Sequence, residues 1–276
     1  MDLLADTIRD RLKPIGLDLY DITLDRASQE VWVTREFMSA TYGGSMQATC
    51  PSIGKKLLAR HGLNDFCYLN LDYQPQAPQI PGAPGLFYST ESGGDWKGDQ
   101  RVLTRVRPNE WQYMGMYAIK TCKSLTKEEW ASQPPKVRST WAKQICLQGW
   151  GGWVQARVRA RIELEREPTE KEIQNVFDNG SFRATTPDEV AEAYNKGQEC
   201  LGVWTMKCVG YDNDFQLQLC QKFPNWIPRP RNSRKGKKSD MKPNTGSSQH
   251  RNNKRTHPSP ASPESEDESF ENDESE

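Results

Sequence analysis

Histidine is scarce in this sequence, and its scarcity limits the chemistry that the chain can perform. The chain has 276 residues and three histidines, of which only His61 precedes residue 229. Because histidine is a common metal ligand and general base, neither a histidine-rich metal centre nor a Ser-His-Asp triad is expected. The seven cysteines include no Cys-x2-Cys pair, which favours free thiols in a reducing compartment over a zinc site or a disulfide framework. We therefore expect no metal and no cofactor.

Long apolar runs are also missing. No run approaches the roughly 18–20 residues that a membrane helix needs. The segment 1–6 lacks the basic and apolar regions of a signal peptide. The sequence therefore predicts a nuclear or cytoplasmic protein that is not secreted and has no membrane partner.

Charge is balanced overall but unevenly distributed along the chain. The sequence has 37 basic and 37 acidic residues, so its formal net charge is zero. Residues 229–258 hold ten basic residues and one acid, whereas residues 259–276 hold eight acids and no base. This low-complexity stretch is poor in apolar residues, which normally drive folding. We predict one globular domain over residues 1–228 and a disordered tail over residues 229–276.

The basic part of the predicted tail has the spacing of a bipartite nuclear-import signal, which an import receptor would bind. The first cluster consists of Arg229, Arg231, Arg234, Lys235, Lys237 and Lys238, and the second of Arg251, Lys254 and Arg255. The acidic part contains Ser259, Ser262 and Ser265, whose surroundings resemble phosphorylation sites. The alternative is a charged tail that only keeps the protein in solution.

Hydrophobic periodicity predicts the fold class. Alternating residues predict a strand from Glu110 to Cys122, and residues 101–107 pair with it through a Pro108-Asn109 turn. Thr-x-x-Glu capping boxes at Thr126, Thr169 and Thr186 predict helix starts. Further strands are predicted over 19–24, 66–71, 86–88, 201–211 and 215–220. Residues 153–166 fit a helix or a strand, and their composition favours a helix. The order indicates an α+β fold with a mainly antiparallel sheet and an inserted helical segment over about 126–198.

The strand at 110–122 contains the clearest candidate for ligand binding. Trp111, Tyr113 and Tyr117 alternate onto one predicted face, where they could stack bases or pack within the sheet. Arg101, Arg105 and Arg107 share a face of the neighbouring strand and could contact phosphates or form a solvated surface. We favour packing within the sheet for the aromatic residues and a solvated surface for the arginines.

Other chemistry-bearing residues have simpler explanations. Asp212 and Asp214 could ligate a divalent cation in a nuclease, but a hairpin turn explains an Asp-Asn-Asp sequence better. His61 precedes a glycine and is typical of a helix C-terminus. Residues 150–153, Trp-Gly-Gly-Trp, form either a mobile aromatic rim or a tight connection between helices. No residue is assigned a catalytic role.

Six short stretches together resemble a domain family of basidiomycete fungi that is known only as a domain of unknown function. They are Tyr42–Gln47, His61–Phe66, Pro81–Phe87, Trp111–Tyr117, Leu125–Trp130 and Cys208–Asp212. The resemblance spans about residues 35–220 and implies a fungal source and a single domain. It implies no catalytic residue. The Trp-x-Tyr-x-Gly-x-Tyr strand is also similar to strands of barrel-like domains that read modified bases.

We therefore expect a non-enzymatic intracellular binding module, favoured to be nuclear, whose partner is nucleic acid or protein. The alternatives are a metal-dependent nuclease that uses Asp212 and Asp214, and a barrel-like reader of modified bases.

Overall fold

The computed structural model describes residues 1–90 and 95–228 of the chain. Helices in these residues are α1 (Ala5–Leu12), α2 (Arg26–Gln29), α3 (Arg35–Thr41), α4 (Lys55–His61), α5 (Lys127–Ala131), α6 (Pro135–Leu147), α7 (Gly152–Leu164), α8 (Glu170–Asp178), α9 (Pro187–Lys196) and α10 (Asn213–Lys222). Strands are β1 (Trp32–Val33), β2 (Phe66–Asn70), β3 (Gly85–Ser89), β4 (Gln100–Arg107), β5 (Glu110–Thr121) and β6 (Gly202–Gly210). None of the described helices is long and apolar enough to cross a membrane. The predicted tail, with its import and phosphorylation residues, lies outside the described residues.

The strands form one mixed sheet. Their order is β2-β4-β5-β6-β3, and β1 pairs with β5 beside the stretch that β6 occupies. The β2–β4 pair is parallel and the other pairs are antiparallel. Helices α5 to α9 all lie between β5 and β6 in the chain. The predicted α+β class and the inserted helical segment are thus confirmed, with one parallel pair in the sheet.

Local sequence signals explain most of the helices. Each of the three predicted capping boxes forms both of its hydrogen bonds, at the starts of α5, α8 and α9. Such a box satisfies two backbone donors that a helix N-terminus otherwise leaves unpaired. The ambiguous stretch at 153–166 is helical as far as Leu164, as its alanine, arginine and glutamate content predicted.

Two predicted strands are wrong. Residues 19–24 form no strand, and residues 215–220 belong to α10. The predicted Asp212–Asp214 turn is wrong for the same reason, because the Asp212 side chain accepts a hydrogen bond from the Phe215 amide and caps this helix. Aspartate is equally typical of turns and of helix N-caps, so the pattern alone does not separate them.

The core lies on both faces of the sheet. In β2, Phe66 and Tyr68 enter one buried cluster, and the alternate residues Cys67 and Leu69 enter another. Helices α3 and α10 cover the first face, to which they contribute Phe37 and Phe215 among others. The second cluster draws side chains from β2, β3, β4, β5 and β6, so the sheet curls around it. A third cluster joins β3 and β6 to α1 and the inserted helices.

A β-bulge in β5 changes which side chains share a face. Leu103 pairs with Tyr113 and Val102 pairs with Gly115, so Met114 is an extra residue in the strand. Tyr113 therefore faces the cluster under α3 and α10, whereas Tyr117 faces the cluster inside the curled sheet. The prediction that both tyrosines lie on one face is wrong, because simple alternation assumes a strand without a bulge.

Candidate functional site

Two of the three aromatic residues predicted as a stacking platform, Tyr113 and Tyr117, lie in the core. Tyr113 and Tyr117 are 0% exposed. The Tyr113 ring contacts Phe215 with 5.0 Å between centroids, and the Tyr117 hydroxyl donates a hydrogen bond to the Ala83 carbonyl over 2.8 Å. Trp111 is half-buried, and its ring meets that of Tyr68 edge-on. These rings pack against protein neighbours, so neither tyrosine presents a free face for a base.

Arg101 is buried among aromatic rings between two acids. It is 4% exposed, and its guanidinium lies 3.2 Å from an Asp65 oxygen and 2.9 Å from an Asp212 oxygen. Its Cζ atom lies 4.4 Å from the centroid of the Phe215 ring. Burial lowers the pKa of Arg101, but the neighbouring Asp65, Tyr113 and Asp212 outweigh burial and hold this pKa above its ordinary value. Arg101 therefore connects β4 to the residue before β2, Asp65, and to the residue before α10, Asp212.

The other two arginines of β4 also face acids. Arg105 pairs with Asp72, and Arg107 lies 3.5 Å from Glu110. A second register shift falls between Arg105 and Arg107. Each of the three β4 arginines thus has its own acidic partner, and together they do not form a row of unpaired positive charge.

The acids considered for a metal site have structural contacts. One Asp212 oxygen caps α10 and the other binds Arg101, while Asp214 occupies the first turn of α10. Within residues 1–90 and 95–228, no group of three or more His, Cys, Asp or Glu side chains could hold a metal ion.

His61 is the last residue of α4, as predicted. Its Nδ1 accepts a hydrogen bond from the Leu63 amide over 3.1 Å. The proton therefore lies on Nε2, which donates to the Tyr42 carbonyl over 3.0 Å. Both ring nitrogens are engaged with backbone, so the imidazole connects the end of α3 to the end of α4.

A cavity of about 650 Å³ lies beside this histidine, between α3, α4 and α10. The Tyr42 hydroxyl at its wall is buried and lacks a hydrogen-bond partner among the described residues, and burial raises the pKa of Tyr42 to about 12. The lining carries Arg60 and Lys222 as well as Asp212 and Asp214. Because both signs of charge face the cavity, it does not define one class of ligand.

An exposed aromatic surface occurs where α6 turns into α7. Leu147, Trp150 and Trp153 lie within a stretch of seven residues, and they are 74%, 42% and 43% exposed. We name these three residues, which are near each other in the chain around the turn from α6 to α7, the corner patch. Large apolar side chains rarely cluster in solvent, and clustered ones often mark an interaction site.

Two glycines give the corner its shape. A Cβ atom on Gly151 would lie 2.0 Å from the Ile145 carbonyl oxygen, so only glycine allows this close return of the backbone. A Cβ atom on Gly152 would lie 2.9 Å from the Phe177 ring. The predicted tight connection between helices is therefore confirmed, and it leaves both flanking tryptophans exposed.

Stacked rings support Trp153 from one side. Its ring lies 4.4 Å from that of Phe177 with an interplanar angle of 7°, and Phe177 lies 5.0 Å from Phe182, also at 7°. The Arg183 guanidinium covers Phe182 at 4.8 Å from the ring centroid. Sequence reasoning singled out Trp153 but missed Phe177 and Phe182, because they come from α8 and the turn after it. The stack fixes the orientation of Trp153.

The described chain is thus an α+β protein built on one mixed, curled sheet with a helical insert that carries an exposed aromatic corner. A family model described as "Domain of unknown function (DUF6697)" matches residues 32–222, and the chain belongs to this family. The match covers all six stretches on which the expected resemblance was based. No curated protein and no solved structure matches the chain.

Proposed function

We propose that the chain is a non-enzymatic binding module and that its partner is a protein that docks on the corner patch. The observation that carries this proposal is the exposure of Leu147, Trp150 and Trp153 at the turn from α6 to α7. Tryptophan is enriched among the residues that contribute most to binding at protein interfaces, because it buries a large area with few rotatable bonds. A ring held in advance by Phe177 loses little further freedom on binding.

Charge supports a protein partner over a nucleic acid. The three arginines of β4 lie against Asp65, Asp212, Asp72 and Glu110, whereas a phosphate site needs cations free to replace counterions. Tyr113 and Tyr117 of β5 are buried in the core, and Trp111 is half-buried against Tyr68, so the strand does not present a row of free rings on which bases could stack. The exposed tryptophans of the corner patch lie on the helical insert.

Capture from a cell extract, with and without nuclease treatment, tests this proposal. We propose a basidiomycete source because of the resemblance described above, so the extract comes from such a fungus. The bait is the full-length protein, and the matched control is a Leu147→Ser/Trp153→Ser variant. We expect proteins that bind the wild-type chain, survive nuclease treatment and are lost with the variant. Capture that requires intact nucleic acid, or that the variant retains, contradicts the proposal.

We further propose that the basic clusters of residues 229–258 bind an import receptor and direct the protein to the nucleus. The support is the bipartite spacing of Lys237-Lys238 and Arg251. Phosphorylation of Ser259, Ser262 or Ser265 adds negative charge close to these clusters and would weaken import. A fluorescent fusion of the full-length chain should collect in nuclei, and replacement of Lys237, Lys238, Lys254 and Arg255 by alanine should disperse it. An unchanged distribution in that variant contradicts the import role.

A further inference from the structure

Two cysteines face each other across a pair of antiparallel segments. The Tyr68 amide donates to the Thr49 carbonyl over 2.8 Å, and the Ile53 amide donates to the Asn64 side chain over 3.2 Å. Residue numbers rise along one segment as they fall along the other, so the segments run in opposite directions. Cys50 follows Thr49 on one segment, and Cys67 precedes Tyr68 on the other. Because the segments are antiparallel, Cys50 and Cys67 lie opposite each other.

The thiols of Cys50 and Cys67 are in contact. They share a hydrogen bond, and this bond, followed by burial, raises the pKa of Cys67 well above its ordinary value. Cys67 is 0% exposed, whereas Cys50 is exposed. Other thiols have different partners: Cys122 donates to the Val203 carbonyl and Cys208 to the Gly210 carbonyl. The thiol of an exposed residue is therefore in contact with the thiol of a fully buried one.

The chain around Cys50 is held in place by one arginine. The Arg35 guanidinium donates to the carbonyls of Ser45, Met46 and Ala48, and its Cζ atom lies 3.3 Å from the centroid of the Tyr68 ring. Because Tyr68 follows Cys67 in β2, Arg35 keeps the segment before Cys50 against this strand. The contact between the thiols is thus set by the surrounding structure.

We propose that Cys50 and Cys67 are a reversible redox site that a hydroperoxide oxidises to a disulfide. The thiolate of the exposed Cys50 attacks the peroxide oxygen, which breaks the O–O bond, forms a sulfenic acid and, for hydrogen peroxide, releases water. The Cys67 sulfur then attacks the Cys50 sulfur, and a second water leaves with the Cys67 proton. Two thiols lose two electrons in total, and the peroxide gains them. A small thiol reductant reverses the change by thiol–disulfide exchange.

The disulfide would fasten the connection between α3 and α4 to β2. This connection runs from the end of α3 through the segment that Arg35 holds and on to the start of α4. Tyr42, at the α3 end of this connection, lines the cavity and accepts a hydrogen bond from His61, the last residue of α4. Oxidation would therefore restrain one wall of that cavity. The site is independent of the corner patch, which lies between α6 and α7.

Peptide mapping of the full-length native protein tests the proposal. The protein is treated with a small molar excess of hydrogen peroxide, its remaining thiols are alkylated, and it is then digested. We expect one cross-linked peptide pair joining Cys50 to Cys67, lighter than the two free peptides by two hydrogen atoms, and its loss after dithiothreitol. The number of alkylated thiols should fall from the seven free cysteines by two.

Matched variants separate this pair from general thiol oxidation. Cys200→Ser removes another exposed thiol and should leave the Cys50–Cys67 link unchanged. Cys50→Ser should abolish the link without affecting the buried partner. Recovery of Cys50 as a sulfinic or sulfonic acid beside an unmodified Cys67 would overturn the proposal, as would a link from Cys50 to a different cysteine.

Discussion

The guanidinium of Arg101 joins three parts of the fold that are far apart in the chain. It extends from β4 to Asp65, which precedes β2, and to Asp212, which precedes α10. Both acids are partly exposed, whereas the arginine is almost fully buried. A buried cation between two acids contributes mainly because the loss of one partner leaves charge unpaired.

Replacement of Arg101 by methionine should therefore destabilise the fold. The two carboxylates that remain are 27% and 34% exposed, so water compensates them in part, and we expect a loss of about 2–3 kcal/mol. Arg105→Met is the control, since its partner Asp72 is 71% exposed and the pair should contribute less than about 1 kcal/mol. Urea unfolding followed by tryptophan fluorescence measures both. Equal effects of the two substitutions would contradict the structural role of Arg101.

Glu172 shows the effect of hydrogen-bond partners on the pKa of a partly exposed carboxylate. Hydrogen bonds from Arg166 and then from the Thr169 amide and hydroxyl lower the pKa of Glu172 from 4.5 to about 2. Because the folded pKa lies below the unfolded one, the stabilising contribution is complete above pH 4.5 and is lost as the pH falls toward 2.

Carboxyl NMR titration checks this value. In the wild-type protein the Glu172 signal should titrate near pH 2. Arg166→Ala removes the largest cause and should move the pKa upward, whereas Arg159→Ala, which removes the partner of Glu163, should leave it unchanged. A Glu172 pKa that does not respond to Arg166→Ala would show that the pair does not form in solution.

At the scale of elements, the connection between α6 and α7 determines the corner patch. The Gly149–Gly151 turn brings the start of α7 onto the end of α6, and the Gln155 side chain donates to the Ile145 carbonyl over 2.7 Å. This close return leaves Trp150 and Trp153 at the surface while Trp141 and Ile145 remain buried. The exposure of the patch is thus a consequence of the backbone of the turn.

Alanine substitution at two glycines tests the turn. A Cβ atom on Gly151 overlaps the Ile145 carbonyl, whereas a Cβ atom on Gly149 has no heavy atom within 4 Å. Gly151→Ala should therefore cost about 2–3 kcal/mol of unfolding free energy, and Gly149→Ala should be nearly neutral. Thermal and urea unfolding of the two variants supply the comparison. A neutral Gly151→Ala would mean that the helices do not approach as closely as described.

The elements that sequence could predict are those with a local cause. The three capping boxes place the starts of α5, α8 and α9, and strict alternation identifies β5. The bulge at Met114 could not be predicted, because it depends on pairing with β4 and on contacts of both faces. Helix α10 was missed because Asp212 suits a turn as well as an N-cap, and its second role, binding Arg101, is a long-range contact.

At the scale of the whole molecule, the described residues form a sheet and a helical insert, and the two differ in which aromatic residues they bury. The two faces of the sheet carry buried clusters that absorb the aromatic strand residues. The insert between β5 and β6 buries its inner side against β3 and β6 and leaves the corner patch outside. The candidate site therefore lies on the helical insert and not on β5, the strand that was predicted to stack bases.

Removal of residues 229–276 should leave the stability of the domain unchanged. These residues supply three apolar side chains, Met241, Ala261 and Phe270, which cannot offset about 1–2 kcal/mol per residue of backbone ordering. Differential scanning calorimetry of the full-length chain and of a chain that ends at Pro228 makes the comparison. A fall of several degrees in the melting temperature of the shorter chain would contradict the predicted domain boundary.

Photo-cross-linking from the corner patch tests the central claim, that this surface binds a partner protein. A photoreactive amino acid replaces Leu147 in the full-length chain, and in the control it replaces Leu4, which is similarly exposed at 79% but lies outside the patch. After illumination in a nuclease-treated extract, the account predicts covalent adducts of discrete mass from position 147 that are absent from position 4. Identical adducts from both positions, or none from position 147, would contradict it.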